Sequence, residues 1–182
     1  MQTIWTVGHS THPLDEFLEL LSGQRIELLA DVRRYPASRR HPQFNATALA
    51  HSLDGVGIRY EACTELGGRR PPRPDSSNTR WRNASFRGYA DYMETAAFRG
   101  SLERLQAQAA VARTAIMCAE APWWRCHRAL ISDALKAHGL QVLHITSRDK
   151  VVEHPYTSAA SVVGGEVDYG PAGDLLATRG GP

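Results

Sequence analysis

Arg113-Thr-Ala-Ile-Met-Cys-Ala-Glu-Ala-Pro-Trp-Trp-Arg-Cys-His-Arg-Ala-Leu-Ile-Ser132 is the stretch on which the fold turns. Residues 113–117 form a short run rich in apolar side chains, the pattern of a buried strand, and from Cys126 to His138 apolar residues recur at helical spacing. Between them lie two thiols, a carboxylate, an imidazole and two guanidinium groups, all within residues 118–128. A strand-to-helix turn aims helix amides and the helix dipole at a cleft, where they favour an anion or a thiolate.

Working outward, the same alternation recurs. Residues 3–7 are an apolar run closed by Gly8, and Thr11-His-Pro-Leu-Asp-Glu-Phe17 predicts a helix with a cap and an acidic first turn, ending near Gly23. A second buried strand is expected at 26–32, a short helix at 45–53 and a third strand at 58–62. Residues 66–83 form an Arg- and Pro-rich loop whose prolines exclude regular structure. Phe86, Tyr89, Met93 and Ala96 mark the inner face of one helix. Leu102, Leu105 and Ala109 mark another, after a break expected at Gly100. The last expected strand is 141–145, and from Gly164 to 182 the Gly-rich chain loses periodicity and reads as a flexible tail. Strands separated by helices need crossover connections, so the expected architecture for 1–163 is a single α/β domain. Its mostly parallel central sheet is flanked by helices in a Rossmann-like three-layer arrangement.

Composition sets outer limits. With 182 residues, 42% of them hydrophobic, one well-buried core is expected rather than two domains. Apolar runs are too short to span a bilayer and the chain enters its first strand without a basic leader, so the expectation is a cytoplasmic protein without a membrane partner. Three cysteines, Cys63, Cys118 and Cys126, argue for reduced thiols rather than a disulfide framework. The net charge of +2 excludes wholesale coating of nucleic acid, but 19 of the 21 basic residues are arginine, which suits bidentate phosphate contacts.

In an open α/β sheet, ligands bind beyond the carboxyl ends of the strands. The residues there are Gly8, His9, Ser10 and Thr11 after the first strand, Asp31, Arg33 and Arg34 after the second, and Cys118 and Glu120 after the fourth. Val7-Gly-His-Ser-Thr11, Asp31-Val-Arg-Arg-Tyr-Pro-Ala-Ser-Arg39 with Pro42 and Phe44, Leu66-Gly-Gly68, Cys118-Ala-Glu120 and Cys126-His-Arg128 together resemble the family known as domain of unknown function 488. His144-Ile145 and His154-Pro-Tyr-Thr157 fit the same pattern. The resemblance spans about residues 3–160 and implies a compact α/β domain; it points to fold and site rather than to a reaction.

The candidate catalytic residues are Asp31, Glu120, Cys126 and His127. Cys126, expected as the first residue of a helix beside Arg125, His127 and Arg128, has the setting of a lowered thiol pKa and a nucleophile; a buried helix-start cysteine is the bland alternative. Cys118 followed by Arg125 is one residue too widely spaced for a cysteine-phosphatase loop, so Cys118 is expected as a packed strand residue. His127 shares a face with Ile131, Leu135 and His138 and reads as a core histidine or as a proton shuttle paired with Glu120 or Asp31. Asp31 reads as a general base or as an arginine partner, and Glu120 as a carboxyl whose pKa rises if the neighbouring tryptophans shield it. Substrate contacts are expected from His9, Ser10, Thr11, Arg33, Ser38, Arg39, Arg128 and His154. Arg69, Arg70, Arg73, Arg80 and Arg82, interleaved with Trp81, suit phosphates and stacked bases.

The leading expectation is an enzyme, a hydrolase or transferase, acting on an anionic small molecule or nucleic acid, with a nucleotide-like substrate foremost. Two alternatives stand beside it: a non-catalytic nucleic-acid-binding module, and a metal-binding protein using Cys118, Cys126 and His127 with Glu120 or His9. Paired Cys-x-x-Cys spacing is absent, so a metal ion as cofactor is the less favoured reading.

Overall fold

The computed structural model describes residues 1–171. Its elements run β1 (Thr3–Gly8), α1 (Leu14–Gly23), β2 (Leu28–Asp31), α2 (Ala46–Asp54), β3 (Arg59–Ala62), α3 (Ala84–Met93), α4 (Ala96–Val111), β4 (Thr114–Cys118), α5 (Arg128–Ala137), β5 (Gln141–Ser147), β6 (Lys150–Glu153), β7 (Ser161–Val163) and β8 (Glu166–Asp168). Six strands form one sheet in the order β3-β2-β4-β1-β5-β6, parallel except for β6, which runs antiparallel to β5. β7 and β8 pair as a separate hairpin.

Side chains alternate across a strand, and that period sorts the core into two layers. Trp5, Val7, Leu29, Ala115, Met117 and Ile145 face one side, where Phe17 and Leu21 of α1 and Leu49 and Leu53 of α2 cover them. Ile4, Ala30, Ile116, Cys118 and Val142 face the other, against Tyr89 of α3, Leu102 and Leu105 of α4, and Ile131 and Leu135 of α5. The result is a three-layer α/β domain. Among the described residues no helix is long and apolar enough to cross a membrane.

Several local expectations need correction. α1 keeps its acidic first turn, Asp15 and Glu16, but starts after Pro13 with no side-chain cap from Thr11. The break between α3 and α4 falls at Thr95, whose hydroxyl accepts the Phe98 amide, and not at Gly100, which lies inside α4. Glycine within a helix costs only about 1 kcal/mol, less than a formed cap and a packed face return. α5 begins at Arg128 rather than Cys126, because residues Trp123–Arg125 take up a 3-10 turn and Cys126 is extended. The strands β6, β7 and β8 were not expected. The tail expected from Gly164 is in part structured: β8 pairs with β7 and Tyr169 is buried against Asp133. Residues 172–182 of that tail lie outside the described residues.

Candidate functional site

β1 and β4 are neighbours, yet α1 carries the chain from β1 to β2 on one side and α5 carries it from β4 to β5 on the other. The strand order therefore reverses between β1 and β4, and a crevice opens beyond their carboxyl ends. A cavity of about 790 Å³ lies there, lined among others by His9, Ser10, Arg33, Ser38, Cys118, Glu120, Cys126 and His127. β1 can end this close to the turn after β4 only because residue 8 is glycine: a Cβ there would strike the Glu120 carbonyl. Ser10, on the cavity wall, holds a left-handed backbone with φ 46°, a strained conformation of the kind that concentrates at functional sites.

The floor is a thiol pair organised by one arginine. Cys118 ends β4 and Cys126 precedes α5; both are buried and neither is in a disulfide. Arg128 Nε donates to Cys118 Sγ at 2.9 Å and the Arg128 amide to Cys126 Sγ at 3.5 Å. Its Nη2 donates to the Glu120 and Ala121 carbonyls. Burial pushes the Cys126 thiol up, but a hydrogen bond from Cys118 and the charge and N–H groups of Arg128 outweigh it and bring Cys126 down to about 7. Burial and its role as donor to Cys126 push Cys118 well above the ordinary thiol range. One arginine thus serves both thiols, through Nε at Cys118 and through its amide at Cys126.

His127 Nε2 faces the Val32 carbonyl at 2.9 Å and Nδ1 faces Cys126 Sγ at 3.4 Å. A carbonyl only accepts, so Nε2 carries the proton and Nδ1 is the free acceptor beside the thiol. Burial lowers the His127 pKa and keeps the ring neutral. Its ring packs between Tyr89, 5.1 Å away, and Gly68, where a Cβ would come within 2.9 Å of Nδ1. The expected pairing of His127 with Glu120 or Asp31 is replaced by this contact with Cys126.

On the opposite wall, Asp31 accepts from the Arg33 amide, from Arg33 Nε and Nη2 and from the Tyr60 hydroxyl, at 2.6 to 3.1 Å. Burial opposes the Arg33 charge, but the Asp31 carboxylate outweighs it and holds Arg33 protonated. Arg33 Nη2 also donates to the Phe44 carbonyl and Nη1 faces His9 Nε2 at 3.2 Å. His9 donates from Nδ1 to the Ser10 carbonyl and stacks on Phe44 at 4.3 Å. Burial pulls its pKa down to about 4, so it is neutral at pH 7 and accepts from Arg33. Asp31 stands behind Arg33 with its oxygens occupied, the position of an orienting group rather than of a base open to the cavity.

Of the expected residues, His9, Ser10, Thr11, Arg33, Ser38, Glu120, Cys126 and His127 line the cavity. Glu120 is exposed, and the tryptophans do not shield it: Trp123 stacks on His144 at 4.4 Å and Trp124 is 60% exposed. Arg39 points to solvent and is not in the lining; Arg128 lies beneath the thiols, and His154 is fully buried on the far side of His144. Arg40, expected with Arg33, Arg34 and Arg39 as a substrate-side arginine, lines the cavity; His41 and the exposed Tyr35 were not expected there, and Cys118 was expected as a packed strand residue or a metal ligand. Arg34 and Arg69 guanidinium groups flank the Tyr35 ring at 5.7 and 5.9 Å.

Most of the 66–83 loop turns away from this site. Arg70 stacks over Tyr92 at 3.7 Å, Arg73 pairs with Glu94 at 2.6 Å, Arg80 pairs with Asp168 at 3.1 Å, and Trp81 packs against Phe86 and Tyr169. Gly68 and Arg69 alone of that loop line the cavity. Among the described residues no group of three or more His, Cys, Asp or Glu side chains is arranged to hold a metal ion.

A three-layer α/β protein with an arginine-lined cavity and a thiol pair at its topological switch point is the class that fold and site define. The chain belongs to the family described as domain of unknown function DUF488, whose profile matches residues 13–135. That span takes in Asp31, Arg33, Cys118, Cys126 and Arg128, and leaves His9, His144 and His154 outside it. No curated protein and no solved structure matches the chain.

Proposed function

We propose that this protein is a thiol-dependent hydrolase or transferase acting on a small phosphorylated, nucleotide-like substrate. The observation that carries the reading is the Cys126 thiol, held beside Arg128 and His127 and open to a cavity whose lining includes Arg33, Arg34, Arg40 and Arg69. In the reaction proposed, the Cys126 thiolate attacks the electrophilic atom of the bound anion. The bond to the leaving group breaks, the leaving group keeps the electron pair, and it takes a proton from water. Glu120 then removes a proton from an attacking water or acceptor hydroxyl; the new oxygen bond forms as the bond to sulfur breaks, returning the electron pair to Cys126 as thiolate. Guanidinium groups stabilise the negative charge in both steps.

Tyr35 supports the nucleotide-like part. Its ring lines the cavity and is 61% exposed, with the Arg34 and Arg69 guanidinium groups 5.7 and 5.9 Å from its centre, a platform for a base whose phosphate reaches inward. Trp81, which sequence reasoning offered for that stacking, is packed against Phe86 and Tyr169.

Protection of Cys126 from iodoacetamide, read by peptide mass spectrometry, tests the reading. A nucleoside monophosphate is expected to protect at about tenfold lower concentration than inorganic phosphate, and Tyr35→Ala to erase that difference, since base stacking contributes about 1–3 kcal/mol. Protection by neither anion, with steeply salt-dependent binding of oligonucleotides and no covalent adduct on Cys126, supports the non-catalytic nucleic-acid module instead. Stoichiometric metal in protein purified without added metal supports the metal-binding reading.

A further inference from the structure

Arg128 has a second set of contacts that the thiol chemistry does not use. Its Nη1 donates to Thr6 Oγ1 at 3.2 Å, Thr6 Oγ1 lies 2.7 Å from His144 Nδ1, His144 Nε2 lies 2.9 Å from His154 Nδ1, and His154 Nε2 lies 3.0 Å from Asp133 Oδ1. All five residues are at most 2% exposed. The strand period places them together, because Thr6 of β1, Cys118 of β4 and His144 of β5 point to the α5 side of the sheet, where Arg128 and Asp133 stand.

With one proton on each ring, the two ends set the direction of every link. A guanidinium can only donate. At the other end, Asp133 Oδ1 accepts from His154 and the Thr157 amide, and Oδ2 from the Thr157 and Tyr169 hydroxyls, so both oxygens are filled as acceptors. Thr6 therefore accepts from Arg128 and donates to His144 Nδ1; His144 donates from Nε2 to His154 Nδ1; His154 donates from Nε2 to Asp133. In that arrangement each ring carries its proton on Nε2. Burial, then His154 and Arg128, push the His144 pKa down to about 3, in keeping with a neutral His144 ring. Trp123 clamps the two rings, parallel to His144 at 4.4 Å and edge-on to His154 at 4.9 Å.

This chain answers an electrostatic question. Arg128 is a fully buried cation whose hydrogen-bond acceptors are a sulfur, two carbonyls and a hydroxyl, none of them a carboxylate. A buried charge needs compensation, and hydrogen bonds that all run one way polarise one another. Asp133 is the negative end of such a run.

We propose that Thr6, His144, His154 and Asp133 are positioning residues, a one-way relay that holds the Arg128 guanidinium against Cys118 and Cys126 and so sets the reactivity of the Cys126 thiol. The inference rests on the thiol reading above. Through Thr157 and Tyr169 it also ties the segment after β6 to the site.

The test is the pH profile of Cys126 alkylation in the full chain. Thr6→Val keeps the side-chain shape but leaves Arg128 Nη1 without its acceptor and His144 without its donor. Its midpoint is expected about one pH unit higher than wild type, with a rate below pH 7 about tenfold lower. Thr6→Ser, which keeps the hydroxyl, restores the wild-type profile; a purely structural role for Thr6 would leave the midpoint in place. Should Thr6→Val not fold, nitrogen-15 spectra of the wild-type histidines decide: both His144 and His154 are expected as neutral Nε2–H tautomers at pH 7, and an Nδ1–H tautomer at either ring overturns the relay. Wild-type Cys126 titrating like an ordinary thiol defeats the thiol reading. A normal wild-type profile unmoved by Thr6→Val defeats the relay alone.

Discussion

Cys63 and Cys126 both follow strands of the same sheet, and their surroundings drive the same thiol in opposite directions. Beyond β3, burial, then Glu61, Asp31 and Glu65, push Cys63 up to about 12. Beyond β4, burial pushes in the same direction, yet Cys118 as donor and Arg128 as cation and donor bring Cys126 down to about 7. Burial is common to both, so the sign of the charge at the strand end decides which cysteine ionises. A hydrogen-bond donor and a guanidinium in the right place favour the thiolate of a packed cysteine.

The comparison breaks most visibly in alkylation. At pH 7 the two midpoints correspond to a difference in thiolate fraction of roughly 5 × 10⁴-fold, so iodoacetamide is expected to label Cys126 and spare Cys63. The rate at Cys126 is expected to rise as pH climbs through about 7 and then level, because the thiolate is the reacting form. Equal labelling of the two peptides would end the comparison. Arg128→Met is the next largest step: the Cys126 midpoint is expected to rise by about one to two units while Cys63 stays put. Loss of its buried hydrogen bonds to Thr6, Cys118, Glu120 and Ala121 is expected to lower stability in urea by about 3 kcal/mol. The smallest effect sharpens the other side. Glu61→Gln removes one of the negative charges near Cys63, and its midpoint, followed by thiolate absorbance, is expected to fall by less than about one unit with no change at Cys126.

How far the site could be read in advance depends on what each residue needs. His9, Ser10, Thr11, Arg33, Ser38, Glu120, Cys126 and His127 could be placed on one edge because each follows an apolar run, and strand ends share an edge in a parallel sheet. Their roles were less legible. Asp31 is occupied by Arg33 and Tyr60, and Tyr60 comes from a different strand. The arginine that serves Cys118 is Arg128 rather than Arg125, because a 3-10 turn and an extended Cys126 change the facing of everything after Pro122. The arginines of the 66–83 loop looked equivalent as a string; Arg69 faces the cavity while Arg73 and Arg80 are taken up by Glu94 and Asp168. The short strands β6, β7 and β8 carried too few buried residues to show a period.

The sequence by itself determined the layer architecture, since alternating apolar runs and helical stripes are local and each buries its own face. It also determined which edge of the sheet gathers the polar residues that line the cavity. Only the tertiary structure decided which groups touch: that Arg128 serves both Cys118 and Cys126, that His9 accepts from Arg33, and that a carboxylate on α5 reaches Arg128 through Thr6 and two histidines. The physical reason is range. Backbone periodicity acts over a few residues, whereas a pKa or a tautomer is set by atoms about 3 Å away that arrive from strands and helices more than a hundred positions apart in the chain.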